Sequence, residues 1–488
     1  EIALFFPGRR AANWDMHPSG FCVDGVCCES ECTATCQTCA GSNPGSCEDA
    51  AVGTNEQEEC GLASCNGMGA CNFGAHWWSR RYGNTADQKI WEVEVDGNGD
   101  IVFAGTHDNT IFLESGFLST AGSIDAFIAK VDGNGGPLWG LRLGDSALNG
   151  VTALTVGDDD SIVAGGNNSG TISAAGETTS SPFYLVRVSP AGTPTALSPS
   201  WGFAAGTLAA VAGIATDTAG NVFAAVNVLS GQMLFEGFNG PAAKGMIVMK
   251  LDANLNLLWY HSYDGTLAGE IVRDGDFGVA VAGRSSMPVN FGGNTLDASP
   301  FLVRFSSSGG HQSSASFAKG AAISGLSVAG ANEFYIGGSF SGNIDWNGEQ
   351  INTQGQTDAF VARINTSGSA IWHREFGGSG FDSVSHLRTD AAGDVAFAGY
   401  SAGGFALGDD TLTSGGGQDG LVGKVNKAGA PIWSRLFGEN DDQEFASLAA
   451  RPDGSLVVGG FFAGGVDLGG GVLQAADQAD ALLAALGP

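Results

Sequence analysis

The sequence predicts an all-β fold: a seven-bladed β-propeller preceded by a small disulfide-rich module. Three observations carry the prediction. Four segments share one marker, a strand ending in a basic residue, then a turn, then tryptophan: DAFIAKVDGNGGPLW (125–139), GMIVMKLDANLNLLW (245–259), DAFVARINTSGSAIW (358–372) and DGLVGKVNKAGAPIW (419–433). Strand-like segments recur seven times from residue 76 to the end, at a period of roughly sixty residues, and a unit of that length cannot bury its own apolar faces without stacking on neighbours. Glycine reaches 78 of 488 residues while hydrophobic residues hold 43 %, a balance that suits tight turns and crowded strands.

Taken in order, residues 1–20 form an apolar stretch and a polar linker. Ile2, Leu4, Phe5 and Phe6 read as a short strand ended by Pro7-Gly8. This segment either packs on its own domain or adds as a strand to a neighbouring subunit. Residues 21–75 contain every cysteine: Cys22, Cys27, Cys28, Cys32, Cys36, Cys39, Cys47, Cys60, Cys65 and Cys71. An even count in so short a span reads as five disulfides formed in an oxidising compartment, with cross-links replacing a core. Zinc is the alternative, but only Cys36 and Cys39 have C-x-x-C spacing, and only His17 and His76 are near. The chain starts at Glu1 with no charged segment and apolar run ahead of it. We read it as processed after secretion, and so as extracellular or on the cell surface.

Residues 76–488 hold the blades. Each has an inner strand such as WEVEVDG (91–97), with Trp91, Val93 and Val95 on one face. A hairpin turn follows, such as DGNGD (96–100), DTAGN (217–221), DAAGD (390–394) or RPDGS (451–455). The second strands are near-continuous small and apolar runs, as in DIVFAG (100–105) and DVAFAG (394–399), which fits burial on both faces. A longer insertion comes next, with a miniature hairpin pattern in VNFGGNTLDA (289–298), IDWNGEQINT (344–353), FALGDDTLTS (405–414) and VDLGGGVLQA (466–475). The third strand is of the DAFIAK type, and the fourth carries the tryptophan. The last third strand, DALLAALG (480–487), has no fourth strand after it, whereas HWWSRRYG (76–83) matches IWHREFGG (371–378). The N-terminal strand is therefore expected to pair with the C-terminal one and seal the ring, since an open edge invites aggregation.

The basic residue and the tryptophan are nine positions apart in Lys130/Trp139, Lys250/Trp259, Arg363/Trp372 and Lys424/Trp433. Arg187/Trp201 has a longer turn, and Arg304 falls nine before Ser313. Such pairs lie opposite each other across two strands. We expect the cation to lie over the indole and stabilise the sheet; an aromatic belt that binds sugar or polyanion is the alternative.

The units resemble the seven-bladed bacterial propeller repeat of secreted and surface proteins, through their period, their hairpins and their DAFVAK strands. FCVDGVCC (21–28) resembles the segments that precede domains in secreted bacterial proteins. These resemblances imply an extracellular scaffold or binding role and no defined reaction. The docking motif of quinoprotein dehydrogenases, A-x-D-x-x-T-G-x-x-x-W, fails here. Gly135, Gly368 and Gly429 lie four before the tryptophan, but Val131, Ile364 and Val425 hold the aspartate place. Sialidase Asp boxes fail at Asn134, Ser367 and Ala428.

No nucleophile triad, zincin or Walker pattern is present. His373 and His386 read as surface strand residues rather than an acid–base pair. Asp87, Asn149, Asp382 and Asp442 precede first strands at what read as equivalent places. They form either a partial oxygen ring for Ca²⁺ or local caps for backbone N–H groups. No other cofactor is implied. A net charge of −30 argues against nucleic acid, and no apolar run is long enough to span a membrane as a helix. The expected function is a non-enzymatic extracellular assembly protein, associating with itself or another extracellular protein, with a filament subunit as the specific form. The alternatives are a glycan-binding propeller using Trp346 and Phe405, and a polysaccharide hydrolase acting through Asp382.

Overall fold

The computed structural model describes residues 73–488 apart from 114–115, 236–240, 243, 276–277, 347 and 408–409, with backbone alone for 241–242, 410 and four short strands nearer the N-terminus. The chain divides into two compact units: Glu1–Ala75 with Asp453–Ser455 and Leu486–Pro488, and His76–Pro452 with Leu456–Ala485. In the first unit Cys22–Val23 pairs with Val26–Cys27, and Gln37–Thr38 with Glu48–Asp49. The cysteine side chains, and the assembly candidates Ile2, Leu4, Phe5 and Phe6, lie outside the described residues.

The second unit holds seven four-stranded sheets, and no helix occurs among the described residues. Blades 1 to 7 begin with Gln88–Val95, Ala153–Val156, Leu208–Thr216, Thr266–Arg273, Ala321–Gly330, Asp382–Thr389 and Gln443–Ala450. Each first strand touches that of the next blade, and blade 7 returns to blade 1. The unit is a seven-bladed propeller with its first strands around a central channel. Strand directions alternate, so the second-to-third insertions and the links between blades emerge on one face, here called the insertion face. The insertions carry two-stranded ribbons such as Asn343–Trp346 with Glu349–Asn352 and Phe405–Leu407 with Asp410–Leu412.

Simple alternation does not describe the first strands. In blades 1 and 3–7 the pairing with the second strand slips by one residue, as between Ile90 and Glu92 or between Val384 and His386. This β-bulge breaks the expected Trp91–Val93–Val95 face: Ile90 and Val93 are buried, while Trp91 is the bulged residue. The slip drives a carbonyl toward the second strand. A Cβ at Gly105, Gly283, Gly338, Gly399 or Gly460 would overlap the carbonyl oxygen of Lys89, Leu267, Ala322, Ser383 or Glu444. That overlap accounts for the glycine that ends these five VFAG-like segments; blade 3 has the same slip with Val226 at that place.

The basic residues and tryptophans fall in register as spaced: Lys130 opposite Trp139, Lys250 opposite Trp259, Arg363 opposite Trp372 and Lys424 opposite Trp433. Arg187 departs. It faces Ala196, nine residues on, across a turn of the same length as in the other blades, so the longer turn expected there is absent; Trp201 lies five residues beyond and packs on Phe183 and Phe235. The expected cation–indole stacking within these pairs does not form. Five of the six third-strand cations instead meet a carboxylate at their own first hairpin: Lys130 with Asp96 at 2.6 Å, Lys250 with Asp217 at 3.0 Å, Arg304 with Asp274 at 2.6 Å, Arg363 with Glu333 at 2.5 Å and Lys424 with Asp390 at 2.7 Å. Arg187 bonds the Ser161 hydroxyl and Gly220 O. The aspartates serve twice. Asp96, Asp217 and Asp390 accept two turn N–H groups on Oδ1 and turn Oδ2 to the cation. Burial works against the Lys130 ammonium, but Asp96 and Asp100 outweigh it and raise its pKa.

The indoles turn to the neighbouring blade. Trp78, Trp139, Trp259 and Trp372 donate Nε1–H to the carbonyls of Gly133, Pro190, Ser307 and Lys427 in the next third-to-fourth turn, at 3.0–3.2 Å. Each ring also lies against a glycine of that turn: Gly135, Gly192, Gly309 or Gly429. All four glycines have φ between 82° and 86°, and a Cβ there would press into the indole. Three of these carbonyls also accept a cation's N–H: Ser307 from Lys250, Lys427 from Arg363 and Gly133 from Arg451.

The Lys424–Asp390 pair is nearly sealed, with side chains 5 % and 0 % exposed. Lys424→Met strands a buried carboxylate and is expected to cost about 3–5 kcal/mol. Adding Asp390→Asn, which keeps the turn-capping oxygen and removes the charge, should recover more than half. Urea midpoints of both variants check this, and a double variant no more stable than Lys424→Met contradicts the account.

Candidate functional site

The four candidate oxygen ligands do not occupy one ring. Asn149 and Asp382 open their first strands opposite Asn168 and Ser401, but in blades 1 and 7 that place belongs to Gln88 and Gln443. Asp87 and Asp442 therefore sit one residue earlier. Their oxygens are used locally: Asp87 accepts from Ala479 N at 3.1 Å and Asp442 from Gln418 N at 3.0 Å. Asp382 accepts from Gly378 N at 2.9 Å and from the Ser401 hydroxyl, and Asn149 donates to Ala147 O at 3.1 Å. Among the described residues no group of three or more His, Cys, Asp or Glu side chains is placed to hold a metal ion.

Other sequence candidates also lie elsewhere than expected. Asp382 is fully buried, and burial raises its carboxyl pKa. Trp346 and Phe405, expected as sugar platforms, are core residues of their ribbons. His373 is part-buried and stacks on Trp346 at 5.5 Å. It bonds Glu375 at 3.0 Å and Glu349 at 3.2 Å, and these hydrogen bonds, Glu375 first, raise its pKa. His386 is not a surface residue at all, being 3 % exposed.

His386 belongs to a cluster that the sequence did not reveal. The residues that follow the bulge in blades 1, 4, 6 and 7 are Glu92, Glu270, His386 and Ser447, and all four meet across the first strands. The Ser447 hydroxyl donates to Glu92 Oε2 at 3.1 Å and accepts from Val93 N at 3.1 Å. Leu448 N donates to His386 Nδ1 at 3.0 Å, so the imidazole proton sits on Nε2, which faces Glu270 Oε2 at 3.8 Å. Two residues further along the same strands, Arg388 of blade 6 reaches Glu94 of blade 1 at 2.8 Å. Three carboxyls thus share one guanidinium and one imidazole.

Burial decides their protonation. It pushes the Glu270 carboxyl up to about 7, and it raises Glu92 well above its usual value with the Glu270 charge adding to the effect. Burial first, then Arg388, holds His386 well below its usual value. Arg388 is also desolvated, but Glu94 and Glu270 outweigh that and raise its pKa. The cluster is therefore a proton-sharing knot. Ser447 Oγ also lies 3.2 Å from His386 Nδ1, the atom that accepts from Leu448 N, while its hydroxyl donates to Glu92 Oε2.

The insertion face presents the other distinctive feature. Phe112 and Phe117, at the tip of the blade 1 hairpin, are 58 % and 67 % exposed. Leu148, Phe203, Leu234, Met287 and Phe381 are exposed large apolar side chains in insertions or interblade links of the same face. A further four, Trp77, Leu138, Leu258 and Ile371, sit on outer strands.

No protein-family model matches the chain, and no curated protein matches it. Among solved structures, the crystal structure of the Myceliophteria thermophila Cps50 (Swd1) β-propeller domain is similar at 12 % identity and a TM-score of 0.43, covering 84 % of this chain and 100 % of that one.

The knot predicts a pH signature. Glu270 prefers its proton when folded, so its contribution is complete below its ordinary value of 4.5 and is lost as pH rises through about 7. His386 has the opposite sign: its contribution is present above 6.5 and is lost as pH falls. Glu270→Gln should therefore remove the fall in stability between pH 4.5 and about 7 and leave the His386 rise below 6.5 in place. Urea midpoints measured from about pH 5 to 8 check this; parallel curves for the two proteins would remove Glu270 from the account.

Proposed function

We propose that this chain is a secreted, non-enzymatic propeller that serves as a subunit of an extracellular or cell-surface assembly. The supporting observation is the set of exposed large apolar side chains on the insertion face, with Phe112 and Phe117 paired at 6.3 Å, since exposed apolar surface is where protein contacts form. The polar side chains that would otherwise suggest chemistry are engaged in joining blades. Ile2, Leu4, Phe5 and Phe6 supply the docking segment. Head-to-tail contacts that do not close make fibres.

On the same reading the propeller repeat is of the bacterial secreted type, and the cysteines of residues 21–75 form disulfides. The ring is latched by His76–Tyr82 lying beside Asp480–Leu486. The sheet order Gln443–Ala450, Leu456–Phe462, Asp480–Leu486, His76–Tyr82 supports this latch, as does the Arg81–Asp480 ion pair at 2.6 Å.

A second reading, glycan binding, is favoured by one feature. A 430 Å³ polar pocket on blade 5 is lined by Trp346, Glu349, Trp372, His373, Arg374 and Glu375. A glycan array separates it from the first reading.

Electron microscopy of the native particle tests the assembly. The full chain should form ordered oligomers or filaments. Removing residues 1–20, or replacing Phe112, Phe117 and Phe381 with serine, should leave folded single discs. Isolated discs from the full chain at high concentration would refute it.

A further inference from the structure

We infer that the groove between blades 3 and 4 on the insertion face is a binding site for a small amphipathic carboxylate. This inference is independent of the assembly reading. The groove encloses about 580 Å³, within the range of small-molecule sites. Leu267 and Arg284 are register partners at the start of blade 4, so their side chains share one face of the sheet. Leu229 and Lys244 bound the groove from the end of blade 3. Gly245 and Gly265 line it without side chains, which leaves the space open. The lining therefore sets two apolar side chains, Leu229 and Leu267, beside two cations.

The remaining polar groups of the groove are already occupied. The Thr266 hydroxyl donates to Tyr263 O at 2.7 Å, the Ser286 hydroxyl to Gly265 O at 2.9 Å, and the Ser285 hydroxyl to Met287 O. Lys244 and Arg284 are different. Both are exposed, and neither enters an ion pair among the described residues. The chain has 51 acidic and 21 basic residues, and the third-strand cations of five blades are held by carboxylates of their own hairpins. Two unmatched cations beside Leu229 and Leu267 select a ligand with a negative head and an apolar body. A neutral or cationic ligand of the same shape forgoes the charged hydrogen bonds. Asp264, the register partner of Gly245, brings one carboxylate to the same end and sets the limit on how much negative charge the site accepts.

Calorimetric titration of the full chain with hexanoate, hexanol and hexylammonium tests the site. Hexanoate should bind, and hexanol should bind at least about tenfold more weakly. Hexylammonium should not bind. Arg284→Met should weaken hexanoate about tenfold, and Lys244→Met with Arg284→Met should abolish its binding. Hexanol matching hexanoate, or hexanoate binding unchanged in the double variant, overturns the inference. The hexanoate–hexanol comparison on the unaltered chain decides the question even if a variant fails to fold.

Discussion

One carbonyl oxygen, shared by an indole N–H and a cation from the preceding strand, joins neighbouring blades of this propeller. Ser307 O receives Trp259 and Lys250, and Lys427 O receives Trp372 and Arg363. A carbonyl has two lone pairs, so it can accept both donors. Each bond contributes only about 1 kcal/mol net. Its importance is geometric, because it fixes which turn lies against which strand. The glycine at φ near 82° then becomes obligatory, since the indole fills the space a side chain would need.

Arg451 shows that the arrangement, rather than any one residue, is what is kept. In blade 7 Ala485 stands where other third strands carry a cation, and Arg451 stands where other first hairpins carry aspartate. Both members of the usual pair are missing, yet Arg451 Nη2 donates to Gly133 O at 2.7 Å, the same carbonyl that Trp78 bonds. The charge has moved from the third strand to the hairpin and reaches the same acceptor. Placing an aspartate at 451 without restoring a cation at 485 would leave a partly buried carboxylate unmatched.

This swap was open to sequence reading and was missed, because the cations were matched with tryptophans instead of hairpin aspartates. The nine-residue spacing placed Lys130 opposite Trp139, since a six-residue connection leaves little freedom of register. It could not say which neighbour each side chain faces. Register across two strands is local, whereas the partner of Trp372 lies in the next blade. Arg187 and Trp201 failed for a different reason: the turn and its nine-residue register are unchanged, Ala196 stands at the tryptophan place, and Trp201 is an indole beyond the strand. The channel knot was hidden by the bulge. Period-two reading assigns Trp91, Val93 and Val95 to one face, but the inserted residue resets the phase, and only then do Glu92, Glu270, His386 and Ser447 fall at one height. Aligning WEVEV, GEIVR, SHLRT and ASLAA on the residue after the bulge would have brought the four together.

The two charge systems answer opposite demands. At the outer hairpins five third-strand cations bond carboxylates of their own blade, and these pairs hold adjacent strands. In the channel three carboxyls share one guanidinium, and the His386 imidazole is neutral. Three full charges there would repel one another in a poorly solvated space. The excess is relieved by protons, with Glu92 and Glu270 pushed upward by burial, rather than by additional cations. A chain carrying −30 overall thus narrows its channel with groups that shed charge when crowded. The first strands surround a knot whose charge is set by the surrounding pH, whereas the hairpin ion pairs within each blade balance charge with charge.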